Sequence, residues 1–157
     1  MPALIRINTL PGARPLSSDP IRSRPGVPSA LFVTSPTDPA QPRVAVVEDD
    51  VALRLALTRL LRFAHFDVDP FGSAEAFLAA AGPYACLVLD LQLPGLSGLE
   101  LAEHLQAGGD RTPLVFITGS GEHLIREVKR RTGFPCLAKP VDEAALLMAI
   151  ATALLRG

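Results

Sequence analysis

Val44-Ala-Val-Val47 is a continuous apolar and mostly β-branched run, and three acidic residues, Glu48, Asp49 and Asp50, follow it directly. In the next stretch, residues 51–64, leucines recur at helical spacing. A short apolar run is typical of a strand that is buried on both faces, and the leucine spacing is typical of a helix with one apolar face. This stretch therefore predicts one βα unit with an acidic strand end.

The same alternation of short apolar runs and helix-spaced residues continues along the chain. Further strands are predicted at residues 66–70, 87–89, 114–117 and 134–138. Further helices are predicted from the Ser73 cap to residue 81, from the Ser97-Gly-Leu-Glu100 capping box to about residue 108, over residues 122–132, and after Asp142. Five units fit into about 115 residues, whereas a barrel typically needs about 250. We therefore predict an α/β fold, a flavodoxin-like doubly wound (βα)5 sheet of five parallel strands in the order 2-1-3-4-5.

The composition is that of a globular chain with a packed core, with 48% hydrophobic and 20% charged residues. The net charge of -1 lacks the basic excess of nonspecific nucleic-acid binding, so no direct nucleic-acid contact is expected. The two cysteines, Cys86 and Cys136, lie in apolar runs and favour a reducing cytoplasm over a disulfide framework or a cysteine zinc site. No apolar run reaches 18 residues, so no membrane span is expected.

The first part of the chain is rich in proline. Nine of the 15 prolines lie within residues 1–42, and each one fixes φ and removes a backbone donor. We therefore predict a disordered tail over residues 1–42 and one domain over residues 43–157. A translation start placed too early is the alternative explanation of the tail.

Polar side chains collect where the predicted strands end. Glu48 and its neighbours follow the first strand, Asp90 ends the third, Thr118 ends the fourth and Lys139 ends the fifth. Taken singly, each residue has an ordinary explanation. Asp50 could cap a helix and Asp90 could form a turn. Thr118 could be another cap, and Lys139 could be a solvated charge. In a doubly wound sheet, however, the carboxyl ends of the strands line the functional crevice. These residues are therefore candidates for one shared site.

The chemistry of this rim indicates a metal ion and a phosphate. Several carboxylates that converge repel one another unless a cation neutralises them. Their oxygens are hard ligands without a histidine or cysteine among them, which favours Mg²⁺. Lys139 adds a point charge that suits phosphate, while Thr118 offers a hydroxyl and Gly119 an unobstructed backbone N–H.

Four separated phrases resemble the response-regulator receiver domain of two-component signalling, the CheY-like family. They are Val46-Val-Glu-Asp-Asp50, Leu87-Val-Leu-Asp90-Leu-Gln-Leu-Pro94-Gly95-Leu-Ser-Gly98, Ile117-Thr118-Gly119 and Lys139-Pro140. Two phrases, Ser73-Ala-Glu-Ala-Phe-Leu78 and Cys86-Leu-Val-Leu-Asp90, are similar to the nitrogen-fixation FixJ-type subgroup. The phrases occur in the family's order, and the resemblance covers residues 43–157.

The resemblance implies a phosphorelay role. Asp90 would be the phosphoacceptor, and the donor would be a partner sensor histidine kinase or phosphotransfer protein. Glu48, Asp49 and Asp90 would hold Mg²⁺ together with the backbone carbonyl of Gln92. Thr118 would be the switch hydroxyl and Lys139 would pair with the phosphoryl oxygens, while the bond before Pro140 is commonly cis in the family.

The resemblance also implies an output surface, formed by the fourth helix, the fifth strand and the fifth helix, that meets a downstream protein or a second copy. The fourth helix carries a basic group, which either meets an acidic partner or is an ordinary solvated face. Its members are Arg126, Lys129, Arg130 and Arg131.

Two features depart from the family. Cys136 stands where a tyrosine or phenylalanine usually lies, three residues before the lysine of the fifth strand, and the sequence given ends at Gly157, so no output domain is expected. We therefore expect a stand-alone receiver that is not an enzyme beyond its own phosphorylation and dephosphorylation. The alternatives are a degenerate receiver that binds without phosphorylation and a Mg²⁺-dependent hydrolase of the haloacid-dehalogenase type. The hydrolase needs a second acid where this chain has Gln92.

Overall fold

Five strands and five helices alternate in the computed structural model, which describes residues 41–80 and 82–156. The strands are β1 (Arg43–Val47), β2 (Asp67–Phe71), β3 (Cys86–Asp90), β4 (Leu114–Thr118) and β5 (Cys136–Ala138). The helices are α1 (Val51–Phe63), α2 (Ala74–Ala79), α3 (Gly98–Ala107), α4 (Glu122–Thr132) and α5 (Glu143–Leu154). The predicted succession of βα units is confirmed, while the predicted disorder of the tail falls almost wholly outside the described residues.

The strands form one parallel sheet in the order β2-β1-β3-β4-β5. This is the predicted doubly wound α/β order. Because the chain runs from β1 outward to β2 and then returns to β3 on the other side of β1, the carboxyl ends of β1 and β3 lie side by side. A crevice opens at such a point because the connections leave in opposite directions.

The core has two halves, one on each face of the sheet. Alternate residues of the central strands point to opposite faces, and β3 and β4 are buried throughout. One half of the core packs against α1 and α5 through Leu57, Leu61, Leu146 and Ile150. The other half packs against α2, α3 and α4 through Phe77, Leu101 and Val128. Because both faces of the sheet are buried, the polar side chains of a functional site must lie in loops and at strand ends.

Helix starts agree with the predicted caps. The side chains of Asp50, Ser73 and Asp142 accept hydrogen bonds from backbone N–H groups in the first turns of α1, α2 and α5, at 2.8, 3.1 and 2.8 Å. The capping box at Ser97 and Glu100 is complete. None of the helices in the described ranges is both long and apolar enough to cross a membrane.

Several element boundaries differ from the prediction, and β1, β3, β4 and α1 do so by a single residue at one or both ends. β5 begins at Cys136 and not at Phe134, because Pro135 has no N–H to give to the ladder. β2 is shifted by one residue, to Asp67–Phe71. α2 ends at Ala79, before the predicted residue 81, and residue 81 lies outside the described ranges.

Candidate functional site

Asp90 lies at the centre of the crevice as the last residue of β3, and it is 1% exposed. Its Oδ2 accepts a hydrogen bond from Lys139 Nζ at 2.8 Å, and its Oδ1 accepts one from the backbone N–H of Gln92 at 2.9 Å. Lys139 directly follows β5, so its side chain reaches past β4 to the end of β3. The long, flexible lysine thus joins two strand ends that are not neighbours.

Glu48, the first residue after β1, is fully buried beside this pair. Its Oε1 accepts from the backbone N–H of Asp50 at 3.0 Å, and its Oε2 lies 2.9 Å from Lys139 Nζ. That second oxygen has ionic proximity to the ammonium but no well-aligned hydrogen bond. A buried carboxylate oxygen with an open lone pair is costly unless something binds it.

Burial raises the pKa of the Glu48 carboxyl above its ordinary value, because desolvation disfavours the charged form. The nearby ammonium of Lys139 and the N–H of Asp50 oppose this effect, and the charge of Asp90 adds to it. Burial alone would lower the pKa of Lys139, but its contacts with Asp90 and Glu48 outweigh burial and raise that pKa. Lys139 therefore stays protonated at neutral pH.

Asp49 completes an acidic cluster with Glu48 and Asp90. One carboxylate oxygen from each of the three residues lies within 4.8 Å of the others. Mg²⁺ binds oxygen at about 2.0–2.1 Å, so opposite ligands stand about 4.2 Å apart. Two of the acids are buried and Asp49 is exposed, which leaves one side open to the water ligands that Mg²⁺ retains. The three carboxylates therefore fit this ion.

Asp50, by contrast, serves the helix and is no member of the cluster. Its side chain caps α1, which agrees with the alternative interpretation of Asp50 from the sequence. Its backbone N–H donates to the Glu48 carboxylate and so positions it. The rim thus has three clustered acids and one capping acid.

Thr118 is fully buried at the end of β4. Its hydroxyl oxygen accepts from the backbone N–H of Ser120 at 3.1 Å, and its carbonyl accepts from the backbone N–H of Lys139 at 2.8 Å. Gln92 Nε2 donates to Ser120 Oγ at 2.9 Å. This bond joins the loops after β3 and β4 next to Gly119, where an added Cβ would lie 3.3 Å from Gln92 Oε1.

Sequence reasoning missed Arg54, which holds the acidic loop in place. Its Nη1 donates to the backbone carbonyls of Glu48 at 2.7 Å and Asp49 at 3.3 Å. Arg54 lies four residues after the cap Asp50, so its side chain projects back over the start of α1. The four-residue spacing between Asp50 and Arg54 was the only feature of the sequence that could have indicated this role of Arg54.

Sequence reasoning also missed Glu75, which lies on α2. Its carboxylate accepts from the backbone N–H of Leu96 at 2.9 Å, and this hydrogen bond lowers the pKa of Glu75. The bond ties α2 to the loop that follows Asp90. The sequence carried no local signal for a contact between residues so far apart.

Cys136 occupies the position where the family usually has an aromatic residue. It is 1% exposed, pairs with Phe116 across β4 and β5, and belongs to the core. Burial raises its pKa to about 11. The thiol is thus a small apolar group in the core. The peptide bond between Lys139 and Pro140 is cis, as the resemblance led us to expect.

A family model described as "Response regulator receiver domain" matches residues 44–151. The chain belongs to this family. The receiver is 40% identical over 114 residues to Nodulation protein W of Bradyrhizobium diazoefficiens, covering 70% of this chain and 50% of that protein. It is 38% identical over 117 residues to the transcriptional regulatory protein FixJ of Azorhizobium caulinodans, covering 73% and 56%. The resemblance to FixJ-type regulators is thereby confirmed.

Solved structures agree with the assignment. The response regulator StyR shares 43% identity, with a TM-score of 0.68 and coverage of 74% of this chain and 60% of that one. The receiver domain of Francisella response regulator 1452 is 20% identical, with a TM-score of 0.68 and coverage of 74% and 98%, and shows the shared fold. The chain spans about half the length of the curated relatives that it matches.

Proposed function

We propose that the receiver accepts a phosphoryl group on Asp90 in a Mg²⁺-dependent reaction and signals by protein contact. The observation that carries this proposal is the buried Asp90 carboxylate, held by Lys139 and flanked by Glu48 and Asp49. A carboxylate can attack phosphorus once the charge on the transferred group is neutralised. When bound, Mg²⁺ supplies part of that neutralisation.

In the proposed transfer, an Asp90 oxygen attacks phosphorus while the bond from phosphorus to a histidine nitrogen of the donor breaks. Lys139 pairs with the phosphoryl oxygens, since its ammonium already touches the attacking carboxylate. Glu48, Asp49, Asp90 and the backbone carbonyl of Gln92 would hold the metal. Each of these roles concerns a residue that lies at the crevice.

The proposed switch is the Thr118 hydroxyl. It gives up the hydrogen bond that it accepts from the backbone N–H of Ser120 and moves to the new phosphoryl group. The Gly119 N–H follows Thr118 in the same loop and is available to a phosphoryl oxygen. With Cys136 in place of an aromatic ring, the change is carried mainly by this loop.

The proposed donor is a sensor histidine kinase or phosphotransfer protein in the cytoplasm. The protein acts on itself alone, through its own phosphorylation and dephosphorylation. Two of the similar proteins are named as a nodulation protein and a transcriptional regulatory protein. Here the proposed output is a protein partner and not direct nucleic-acid contact, since the net charge is -1.

The proposed output surface is formed by α4, β5 and α5. On α4, Arg131 pairs with Glu103 at 3.0 Å and lies 3.9 Å from Glu127. The other three cations of the predicted basic group, Arg126, Lys129 and Arg130, form no ion pair within the described residues. A partner protein with an acidic surface would be complementary in charge to these three cations. The alternative occupant of this surface is a second copy of the chain.

Acetyl phosphate with Mg²⁺, followed by intact-mass measurement, tests the proposal. The wild type should gain the mass of one phosphoryl group, and Asp90→Asn should gain none. Asp110→Asn, an exposed acid that caps a distant turn, is the matched control and should react as the wild type does. A wild type that never gains mass would support the phosphorylation-independent binding module. Steady release of phosphate from small phosphomonoesters would support the hydrolase.

Lys139→Ala separates the roles in the site. We expect metal binding to persist and phosphorylation to lose its effect on conformation, because the ammonium acts on phosphate. Loss of metal affinity in this variant would contradict that role.

A further inference from the structure

The loop of residues 91–97 follows Asp90 and carries the Gln92 carbonyl, which the proposed function assigns to Mg²⁺. The backbone N–H of Gln92 donates to Asp90 Oδ1 at 2.9 Å. Leu91 and Leu93 are buried and belong to the core. These contacts fix the start of the loop but not the turn that follows it.

A carboxylate from α2 meets that turn. Glu75 Oε1 accepts a hydrogen bond from the backbone N–H of Leu96 at 2.9 Å. A Cβ added at Gly95 would lie 2.7 Å from the same oxygen, so the carboxylate rests directly against the backbone of the turn. Within the described residues, this is the only side-chain hydrogen bond that reaches the loop backbone from outside β3 and α3.

The position of Glu75 is itself well defined, because α2 is anchored on the core. Ala74 and Phe77 are buried, and the Phe77 ring packs edge-on against Phe71 with the ring centroids 5.5 Å apart. The Phe71 carbonyl accepts from the backbone N–H of Glu48 at 3.0 Å. Glu75 therefore stands on a base that is also connected to the acidic cluster.

We propose that Glu75 is a positioning residue that holds the loop, and with it the Gln92 carbonyl, in place for Mg²⁺. The proposal rests on the proposed function, in which that carbonyl is a metal ligand. Groups that orient metal ligands from outside typically change metal affinity by about 10–100-fold when they are lost. Glu75 would thus set the Mg²⁺ affinity of the receiver without touching the ion.

The turn needs this contact because its own residues do not fix it. Gly95 has a φ of 76°, and glycine adopts many other backbone conformations at little cost. Pro94 has no N–H with which to hold the turn. The bond from Leu96 to a charged acceptor is of the stronger kind. Without it, the Gln92 carbonyl would be in position for a smaller fraction of the time.

Calorimetric titration of the unphosphorylated full chain with Mg²⁺ tests the proposal. Glu75→Ala should bind Mg²⁺ at least about tenfold more weakly than the wild type. Alanine is the better helix former, so weakening of α2 would not explain that loss. Glu75→Gln keeps an oxygen that accepts from Leu96 and should retain most of the affinity. Equal losses in both variants would overturn the proposal, because the charge and not the hydrogen bond would then set the affinity.

Glu143→Ala is the matched control. Glu143 is an exposed acid in the first turn of α5, as Glu75 is in the first turn of α2. Its removal takes away the same charge and leaves the loop after Asp90 untouched, so this variant should bind Mg²⁺ as the wild type does. A loss equal to that of Glu75→Ala would refute the positioning role.

Gly95→Ala tests the contact from the other side. The added methyl group would press on Glu75 Oε1 at a positive φ, so Mg²⁺ affinity should fall. In the double variant with Glu75→Ala, the two losses should combine to less than their product, since one hydrogen bond is lost only once. Losses that multiply fully would show that the two residues act independently.

Amide hydrogen exchange in the absence of Mg²⁺ examines the loop directly. The Leu96 N–H should exchange faster in Glu75→Ala than in the wild type or Glu75→Gln, because its partner is gone. Unchanged exchange at Leu96 would count against the proposal. A wild type that binds no Mg²⁺ would overturn the proposed function, whereas equal binding by the wild type and Glu75→Ala would overturn only the role of Glu75.

Discussion

Gly98→Ala should destabilise the receiver although alanine is the better helix former. Gly98 is the first residue of α3, and its N–H donates to the Leu91 carbonyl at 3.2 Å. A Cβ at this position would lie 2.1 Å from the carbonyl oxygen of Asp90 and 2.9 Å from the Leu91 Cα. Both are main-chain atoms, so no change of side-chain rotamer relieves the overlap. Since ordinary C···O contacts are about 3.3 Å, the start of α3 or the end of β3 must move by about 1 Å.

The magnitude follows from two opposing effects. Overpacking that shifts backbone costs about 1–3 kcal/mol, and a main-chain clash belongs at the upper end of that range. Alanine recovers about 1 kcal/mol in helix propensity. The net loss in the free energy of unfolding is therefore about 2 kcal/mol. For a domain of this size, that lowers Tm by about 8 °C.

Thermal and urea unfolding measure this change. The matched control is Gly108→Ala at the other end of α3, where φ is -78° and the nearest atom to an added Cβ is 3.4 Å away. Gly108→Ala should leave Tm unchanged or raise it slightly. Because the clash displaces Asp90 itself, Gly98→Ala should also slow phosphorylation by acetyl phosphate. A Gly98→Ala variant with the Tm of the control would refute the reasoning.

Three further predictions concern the loops around the sheet. Glu48→Gln should raise stability at neutral pH and abolish stabilisation by Mg²⁺. Burial holds the pKa of Glu48 above its ordinary value, so the folded state is penalised above that pKa and relieved as the pH falls through it. Urea unfolding should show that Glu48→Gln exceeds the wild type in the free energy of unfolding by less at acidic pH than at neutral pH. An equal difference at both pH values would contradict this cause. Arg54→Lys should lower Mg²⁺ affinity about tenfold in calorimetry, with exposed Arg59→Lys as the silent control, and equal affinities would contradict the positioning role of Arg54. His65→Gly should gain about 1 kcal/mol, because His65 has a φ of 67°, while His104→Gly within α3 should lose about 1 kcal/mol. A loss in both would contradict that reasoning.

The order of elements could be predicted because their signals are local. Val44-Ala-Val-Val47 is a continuous apolar run, which is typical of a buried strand, and the leucines that follow it recur at the spacing of a helix. The boundary at β5 was less predictable, since Phe134 and Cys136 have similar sequence character. The strand begins after Pro135, whose missing N–H is a signal in the sequence that the prediction did not use.

Much of the candidate site could also be anticipated, because strand ends of a parallel sheet meet at one edge. That reasoning placed Glu48, Asp49, Asp90 and Lys139 at one edge, and the structure brings them into contact. It could not separate Asp50, whose carboxylate caps α1. Capping and metal binding use the same chemical group, and only its direction distinguishes them.

The sequence by itself determined the succession of elements, their caps, the strand order and the residue types at the carboxyl edge, because all of these follow from short-range periodicity and connection rules. The tertiary structure alone decided the contacts between distant segments. Arg54 reaches the backbone of Glu48, and Gly98 lies against the backbone of Asp90. The physical reason is that a side chain's type sets what it can bind, whereas the packing of distant elements sets what lies within its reach.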